Sequence, residues 1–397
     1  MDVKSLINAE KDYLVAIRRK LHRYPEGGLK EFKTSQVIKD ELDSFGIEWK
    51  TIAGTGVVAD IKGTATGEDK IVALRADIDA VKVQELNEFE YKSEHDGYCH
   101  ACGHDGHMAS LLGAAKVLAA NKEKFSGTVR LLFQPAEENL EGAKLIIEEG
   151  GLEGVGEIFG IHLLPDVPVG LVAVAPGSRM SSSDFFDIEI KGPGGHGGFP
   201  HKTIDTVVAA SAVVINLQHL VSREVSPMEP LVITVGKING GSRGNVVPSS
   251  VILQGTTRCF SGNIRDELPG KIERVISNTV KSYRAEYSFD YYYKAPPMVN
   301  DAVCATRAEK IAMNLYGNEV IYPLDRITGA EDFAFYVQKV PGVFVFVGCS
   351  NIAKGIDYPL HSDRYDIDED ALEVSASLYT LYALDFLNPS KNSCEPG

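Results

Sequence analysis

Four short runs of apolar, β-branched residues, each ending abruptly in side chains that bind protons or metals, restrict the fold of this chain more than any other feature. They are KIVALRADIDAV, TVRLLFQPAEEN, EIFGIHLLPD and GVFVFVGCS. Uninterrupted apolar runs of this length suit strands buried on both faces, as in a mostly parallel sheet. Helical stretches such as GHMASLLGAAKVLAANKEK and EGAKLIIEEG stand between them, and the alternation predicts an α/β fold. Ligands of such sheets collect beyond the carboxyl ends of the strands. The sequence puts Asp77, Asp79, Glu137, Glu138 and His162 there.

The texture changes over residues 182–295. DFFDIEIKG and SVILQGTTRCF alternate apolar with polar residues, as half-exposed strands do, while IDTVVAASAVVINLQHLV and DELPGKIERVISNTVKSYRAEY read as amphipathic helices. A smaller α+β module inserted over 182–295 therefore splits a larger domain into parts 1–181 and 296–397, which suits a chain of 397 residues. The second part resumes at PPMVND and ends on the helix DEDALEVSASLYTLYALDFL, after which NPSKNSCEPG reads as a frayed tail. The N-terminal segment has no apolar secretion-signal core. Its Tyr13, Leu14, Ile17 and Leu21 recur at helical spacing before Pro25, predicting a surface helix and a cytoplasmic protein. Six irregularly spaced cysteines point to reduced thiols or metal ligands rather than a disulfide framework. A net charge of −15 argues against nucleic acid, and 44% hydrophobic with 24% charged residues argues against a membrane or disordered class. A small molecule is the expected partner.

The stretch YCHACGHDGH, from Tyr98 to His107, concentrates the chemistry. A structural zinc site would need a second ligand pair a dozen or more residues away, and none follows. A thioredoxin-like pair would leave the Gly-His-Asp after Cys102 unexplained. The reading that remains is a catalytic metal site at a helix start, where the macrodipole favours a Cys102 thiolate and His104 offers a neutral nitrogen. Partners would come from other strand ends: Glu137, Glu138, His162 and His361. Adjacent carboxylates can divide between metal binding and general base, although acids also suit a solvated helix start, and single histidines are often structural. In the module, GPGGHGGFPH contains a G-x-G-x-x-G, but Pro200 interrupts it and the following strand LVITVGKI ends without a ribose-binding acid. That leaves a glycine-rich turn or a flexible loop presenting His196, with Asn245 and Arg258 available as an amide contact and a carboxylate clamp.

Taken in order, LHRYPEGGLKE, LRADIDA, HACGHDGH, FQPAEE, GIH, GPGGHGGFPH, GNVVPSS, GTTRCF, GAEDFAFY and HSDRYDIDEDAL resemble the M20 metallopeptidase family, nearest its aminoacylase-type amidohydrolase branch. The resemblance implies a metal-dependent hydrolase of N-acyl-amino acids. An M20-type dipeptidase or carboxypeptidase is the alternative. It implies two divalent transition-metal ions per subunit, Mn, Zn, Co or Ni. Cys102 would bridge them, with His104 and His162 on one, Glu138 and His361 on the other, Glu137 as general base and Asp79 as an orienting residue. The module would be a lid that pairs two subunits, its His196 reaching the partner's site while Asn245 and Arg258 hold substrate. Cys102 and Asp77 depart from the wider superfamily, which has an aspartate bridge and a metal histidine at those places.

Overall fold

The computed structural model describes residues 1–388, so most of the segment read as a frayed tail lies outside the described residues. The chain forms two compact units, one of Met1–Gly177, Val299–Asp325 and the residues from Phe335 on, the other of Ser178–Met298 and Arg326–Ala334.

In the first unit the strands are β1 (Trp49–Ile52), β2 (Gly56–Lys62), β3 (Ile71–Asp77), β4 (Thr128–Gln134), β5 (Val155–Pro168), β6 (Val172–Ala173) and β7 (Gly342–Ser350). They form a seven-stranded sheet in the order β1-β2-β4-β3-β5-β7-β6. The four runs that dominate the sequence are its four adjacent central strands, all parallel. β3 and β7 are buried along nearly their whole length, which is why they carry no alternation. Antiparallel strands complete the edges.

The helix His104–Ala119 is buried almost all round, matching its apolar sequence. Gly113 lets the helix Lys11–His22 approach it, since a β-carbon there would lie 2.4 Å from Leu14 Cδ2. The single surface helix expected at the N-terminus is two, Val3–Ala9 and Lys11–His22. Leu14, Ile17 and Leu21 face inward as their spacing predicts, but so do Arg18 and His22. The second helix is therefore not a simple surface helix: its charged residues answer a buried acid on the helix His104–Ala119, described below.

The second unit is a four-stranded antiparallel sheet ordered Leu231–Asn239, Ser250–Cys259, Ser183–Lys191, Glu286–Ala295. Phe186, Ile188 and Ile190 alternate onto one face and meet the helices Thr206–His219 and Gly262–Ser282 through residues such as Val213 and Ile272. Burying each such side chain contributes about 1.5–3 kcal/mol. The segment Arg326–Ala334 joins this unit: Ser181 N–H bonds to the carbonyls of Ile327 and Gly329 at 3.1 and 3.0 Å, and the Arg326 guanidinium lies over Phe260. No described helix is long and apolar enough to cross a membrane.

Candidate metal centre

The loops after β3 and β4 are tied together before any side chain is placed. Ile78 N–H donates to the Gln134 carbonyl at 2.9 Å. One residue on, the buried Asp79 carboxylate accepts the amide of Glu137 on Oδ1 and that of Glu138 on Oδ2, both at 3.0 Å. The glutamate pair is thus not a solvated helix start: the helix begins at Gly142, and the pair leaves a turn whose Ala136 has φ of 52°. Asp79 also takes the Nδ1–H of His104 on its backbone carbonyl at 2.9 Å.

Cys102 and His104 flank Gly103, which caps the buried helix with φ of 83°. A β-carbon at Gly103 would combine that left-handed backbone with a contact 2.8 Å from Tyr365 Oη. Because His104 donates from Nδ1 to a carbonyl, Nε2 is the nitrogen that holds the lone pair when the ring is neutral. That atom is buried and has no hydrogen-bond partner among the described residues. His162 repeats the arrangement, with Nδ1 2.8 Å from the Leu163 carbonyl and Nε2 3.5 Å from Cys102 Sγ. His162 does not end its strand as the sequence implies, since β5 continues to Pro168 beside β7. It lies beyond the last β3 partner, Gly160, where the sheet opens.

Ligand atoms of Cys102, His104 and His162 all lie within 4.8 Å of one another, as do those of Cys102, Glu138 and His361. Cys102 is common to both groups. His361 reaches Glu138 Oε1 at 3.2 Å from a loop position with φ of 63°, its amide bonded to the Ala101 carbonyl at 2.8 Å. A third grouping, Asp77 with His104 and His107, is geometrically compact but chemically committed. Leu163 N–H donates to His107 Nε2 at 2.8 Å, so Nδ1 holds the proton it gives to Asp77 Oδ1 at 2.6 Å. His107 is a buried brace between β3 and β5. The sequence reasoning passed over it, although its i+3 spacing from His104 places it on the same helix face.

The charge balance describes what the cluster lacks. Burial opposes protonation of His104, yet Asp77, Asp79 and Glu138 outweigh it and raise its pKa to about 10. Burial, with Glu138 and Glu137 beside it, pushes the Cys102 thiol well above its ordinary value. Carboxylates outnumber cations here, and burial removes the water that would screen them, so a thiolate at Cys102 calls for added positive charge beside it. Burial lowers His162 to about 3, so its nitrogen stays neutral. A set of soft sulfur, two histidine Nε2 atoms beside it, a carboxylate and a third imidazole, short of positive charge, fits divalent transition-metal ions.

Below the cluster, Asp105 is held by Arg18 Nε at 2.7 Å and by His22 Nδ1 at 2.8 Å, all three fully buried. Neither Arg18 nor His22 was singled out from the sequence.

The remaining candidates lie in the second unit. His196 is exposed on a two-residue strand opposite Val246, and Gly197 N–H bonds to the Asn245 carbonyl at 2.8 Å, so these two are neighbours. Arg258 lies near the other end of the strand Ser250–Cys259, whose first residue pairs with Lys191 while Thr257 pairs with Asp184. Eight residues of strand span about 27 Å at roughly 3.4 Å each, so His196 and Arg258 of one unit are not brought together. Arg258 is half-buried, donates to Ser183 Oγ and lies 5.9 Å from the Phe185 ring. Asp184, whose charge acts on Arg258, is engaged by Arg265 through two bonds of 2.8 Å.

Residues 73–385 match the family model described as peptidase family M20/M25/M40. The chain is 41% identical over 387 residues to IAA-amino acid hydrolase ILR1-like 4 of Arabidopsis thaliana, covering 96% of this chain and 87% of that protein. It is 37% identical over 394 residues to thermostable carboxypeptidase 1 of Saccharolobus solfataricus, covering 97% and 98%. Against N-acetyl-L-cysteine deacetylase of Bacillus subtilis it is 40% identical over 370 residues, covering 93% and 86%. Among solved structures it resembles the Bacillus subtilis YXEP protein, described as a dinuclear metal-binding peptidase from the M20 family, with TM-score 0.84 and 34% identity over 96% of this chain and 99% of that one.

Proposed function

The chain belongs to peptidase family M20/M25/M40 and is a hydrolytic enzyme of it, and from that premise we propose that it cleaves the amide bond of N-acyl-amino acids using two divalent metal ions. The observation that carries this reading is the setting of the imidazoles at Cys102: His104 and His162 each give Nδ1–H to a carbonyl, leaving Nε2 as the ligand nitrogen, and ligand atoms of the three residues lie within 4.8 Å of one another. In this reading His104 and His162 would hold one ion, Glu138 and His361 the other, and Cys102, common to both groups, would serve each. Bound there, the ions would lower the pKa of water and polarise the scissile carbonyl.

The protein's own groups supply the rest. Glu137 takes the proton of the attacking water and returns it to the leaving nitrogen. Asp79 fixes both glutamates by holding their amides, and its carbonyl fixes the His104 ring. Arg258, whose neighbouring acid is occupied by Arg265, clamps the α-carboxylate of the amino acid. His196 and Asn245 act on substrate from a second copy of the chain. Pairing through the second unit is supported by the exposed Val207, Val208 and Ile215 on the helix Thr206–His219. The described cysteines are all free, which suits a reducing cytoplasm.

The names of two relatives, an IAA-amino acid hydrolase and an N-acetyl-L-cysteine deacetylase, favour acyl-amino acids. The carboxypeptidase relative keeps peptide cleavage as the second reading. Assaying N-acetyl- and N-benzoyl-amino acids beside dipeptides, with metal supplied, separates the two. Higher kcat/KM on the acyl series is expected, and preference for free dipeptides would overturn the assignment.

A further inference from the structure

Glu31 belongs to none of the ligand groups, yet its carboxylate lies wholly buried behind the turn that carries Glu137 and Glu138. Its Oε1 accepts the Ala136 amide at 2.9 Å and its Oε2 the Thr55 hydroxyl at 2.5 Å. Burial pushes the Glu31 carboxyl up, against the pull of these bonds, so the group is kept there at a cost. Ala136 has φ of 52°, a conformation that residues with a β-carbon rarely adopt and that persists only where the surroundings enforce it. Its carbonyl is fixed as well, accepting from Gly142 and Glu141 at 3.2 and 3.3 Å. With the next two amides on Asp79, three successive N–H groups end on two carboxylates from separate segments.

Resting on the reading of Glu137 as the base, we propose that Glu31 is a positioning residue for amide hydrolysis, holding Ala136 in the left-handed backbone that aims Glu137 and Glu138. A rotation at residue 136 swings everything after it, so loosening this clamp displaces the base while the cysteine and histidine donors stay in place.

Three variants test this. Glu31→Gln keeps an acceptor for the Ala136 amide and retains kcat. Glu31→Asp withdraws the carboxylate by about one C–C bond, ~1.5 Å. A displacement of that order lowers kcat at saturating metal by about 10- to 100-fold, with KM and the unfolding midpoint little changed and metal affinity reduced, because Glu138 moves with the same turn. Adding Ala136→Gly to Glu31→Asp recovers most of the loss, because glycine takes positive φ without strain. Unchanged kcat in Glu31→Asp, or no recovery in the double variant, overturns the proposal. If Glu31→Asp does not fold, Thr55→Val, which frees the other carboxylate oxygen, is read in its place: lower kcat at constant KM supports the clamp, and unchanged kcat refutes it. Glu137→Gln measured alongside separates the two ideas. An active Glu137→Gln defeats the base assignment itself, whereas an inactive Glu137→Gln with a fully active Glu31→Asp defeats only the clamp.

Discussion

At the scale of single residues, two neighbouring glutamates made alike by sequence are made different by their surroundings. Glu138 reaches His361 and shares a ligand group with Cys102, while Glu137 is buried at the same turn, groups with Glu138 and His104, and is the base in the proposed mechanism. Glu137→Gln should therefore bind its full complement of metal and lose about 10²- to 10⁴-fold in kcat; metal content and steady-state kinetics on one preparation check both halves. Cys102→Ser should behave oppositely, losing metal first, because a hydroxyl is a poor substitute for thiolate at neutral pH. Equilibrium dialysis against a competing chelator reads this directly, and unchanged affinity would remove Cys102 from the centre. Asp79→Asn would set an NH₂ group against an amide that now finds an oxygen, so the glutamate turn should loosen, with metal affinity falling about 10- to 100-fold.

At the scale of elements, the helix His104–Ala119 delivers its first turn to the centre because the helix Lys11–His22 grips it from below. Arg18 is wholly buried among Asp105, Asp366 and Glu369 at 2.7, 2.7 and 3.4 Å. Removing one member of such a set leaves buried charge uncompensated, so Arg18→Met should destabilise the protein by about 3–5 kcal/mol, measured as a fall in the urea unfolding midpoint. Burial would raise the Asp105 carboxyl, but Arg18 and His22 hold it far below its ordinary value. Its folded pKa is depressed, so the stability it contributes is present at neutral pH and is lost as pH falls below the ordinary carboxylate value of about 3.9. The Arg18→Met protein should accordingly lose less stability than the parent between neutral and acid pH.

The central strands were legible because burial on both faces leaves an unbroken apolar run, and the inserted sheet because Phe186, Ile188 and Ile190 alternate. The strand Glu286–Ala295 was not read although Tyr287, Phe289 and Tyr291 alternate with Glu286, Ser288 and Asp290 and pack on the core, because its start was absorbed into the preceding amphipathic helix. Arg18 and His22 escaped notice for a similar reason. Charged residues in a helix pattern read as its solvent face, and only the buried Asp105 opposite shows otherwise.

At the scale of the whole molecule, the proposed ligand set draws on the loops after β3 and β4, a helix start, the middle of β5 and a loop near the C-terminal helix, so such a centre requires the complete fold. Metal binding should then appear as folding stability. At a free metal concentration about 100 times Kd, the gain is about 2.7 kcal/mol, and chelation should lower the unfolding midpoint while Cys102→Ser should show little response. The most direct test of the whole account is anomalous diffraction from crystals of the metal-loaded protein. Two metal peaks are predicted, both touching Cys102 Sγ, one shared with His104 and His162 and the other with Glu138 and His361. Metal bound elsewhere, or a centre in which Cys102 touches no ion, would contradict it.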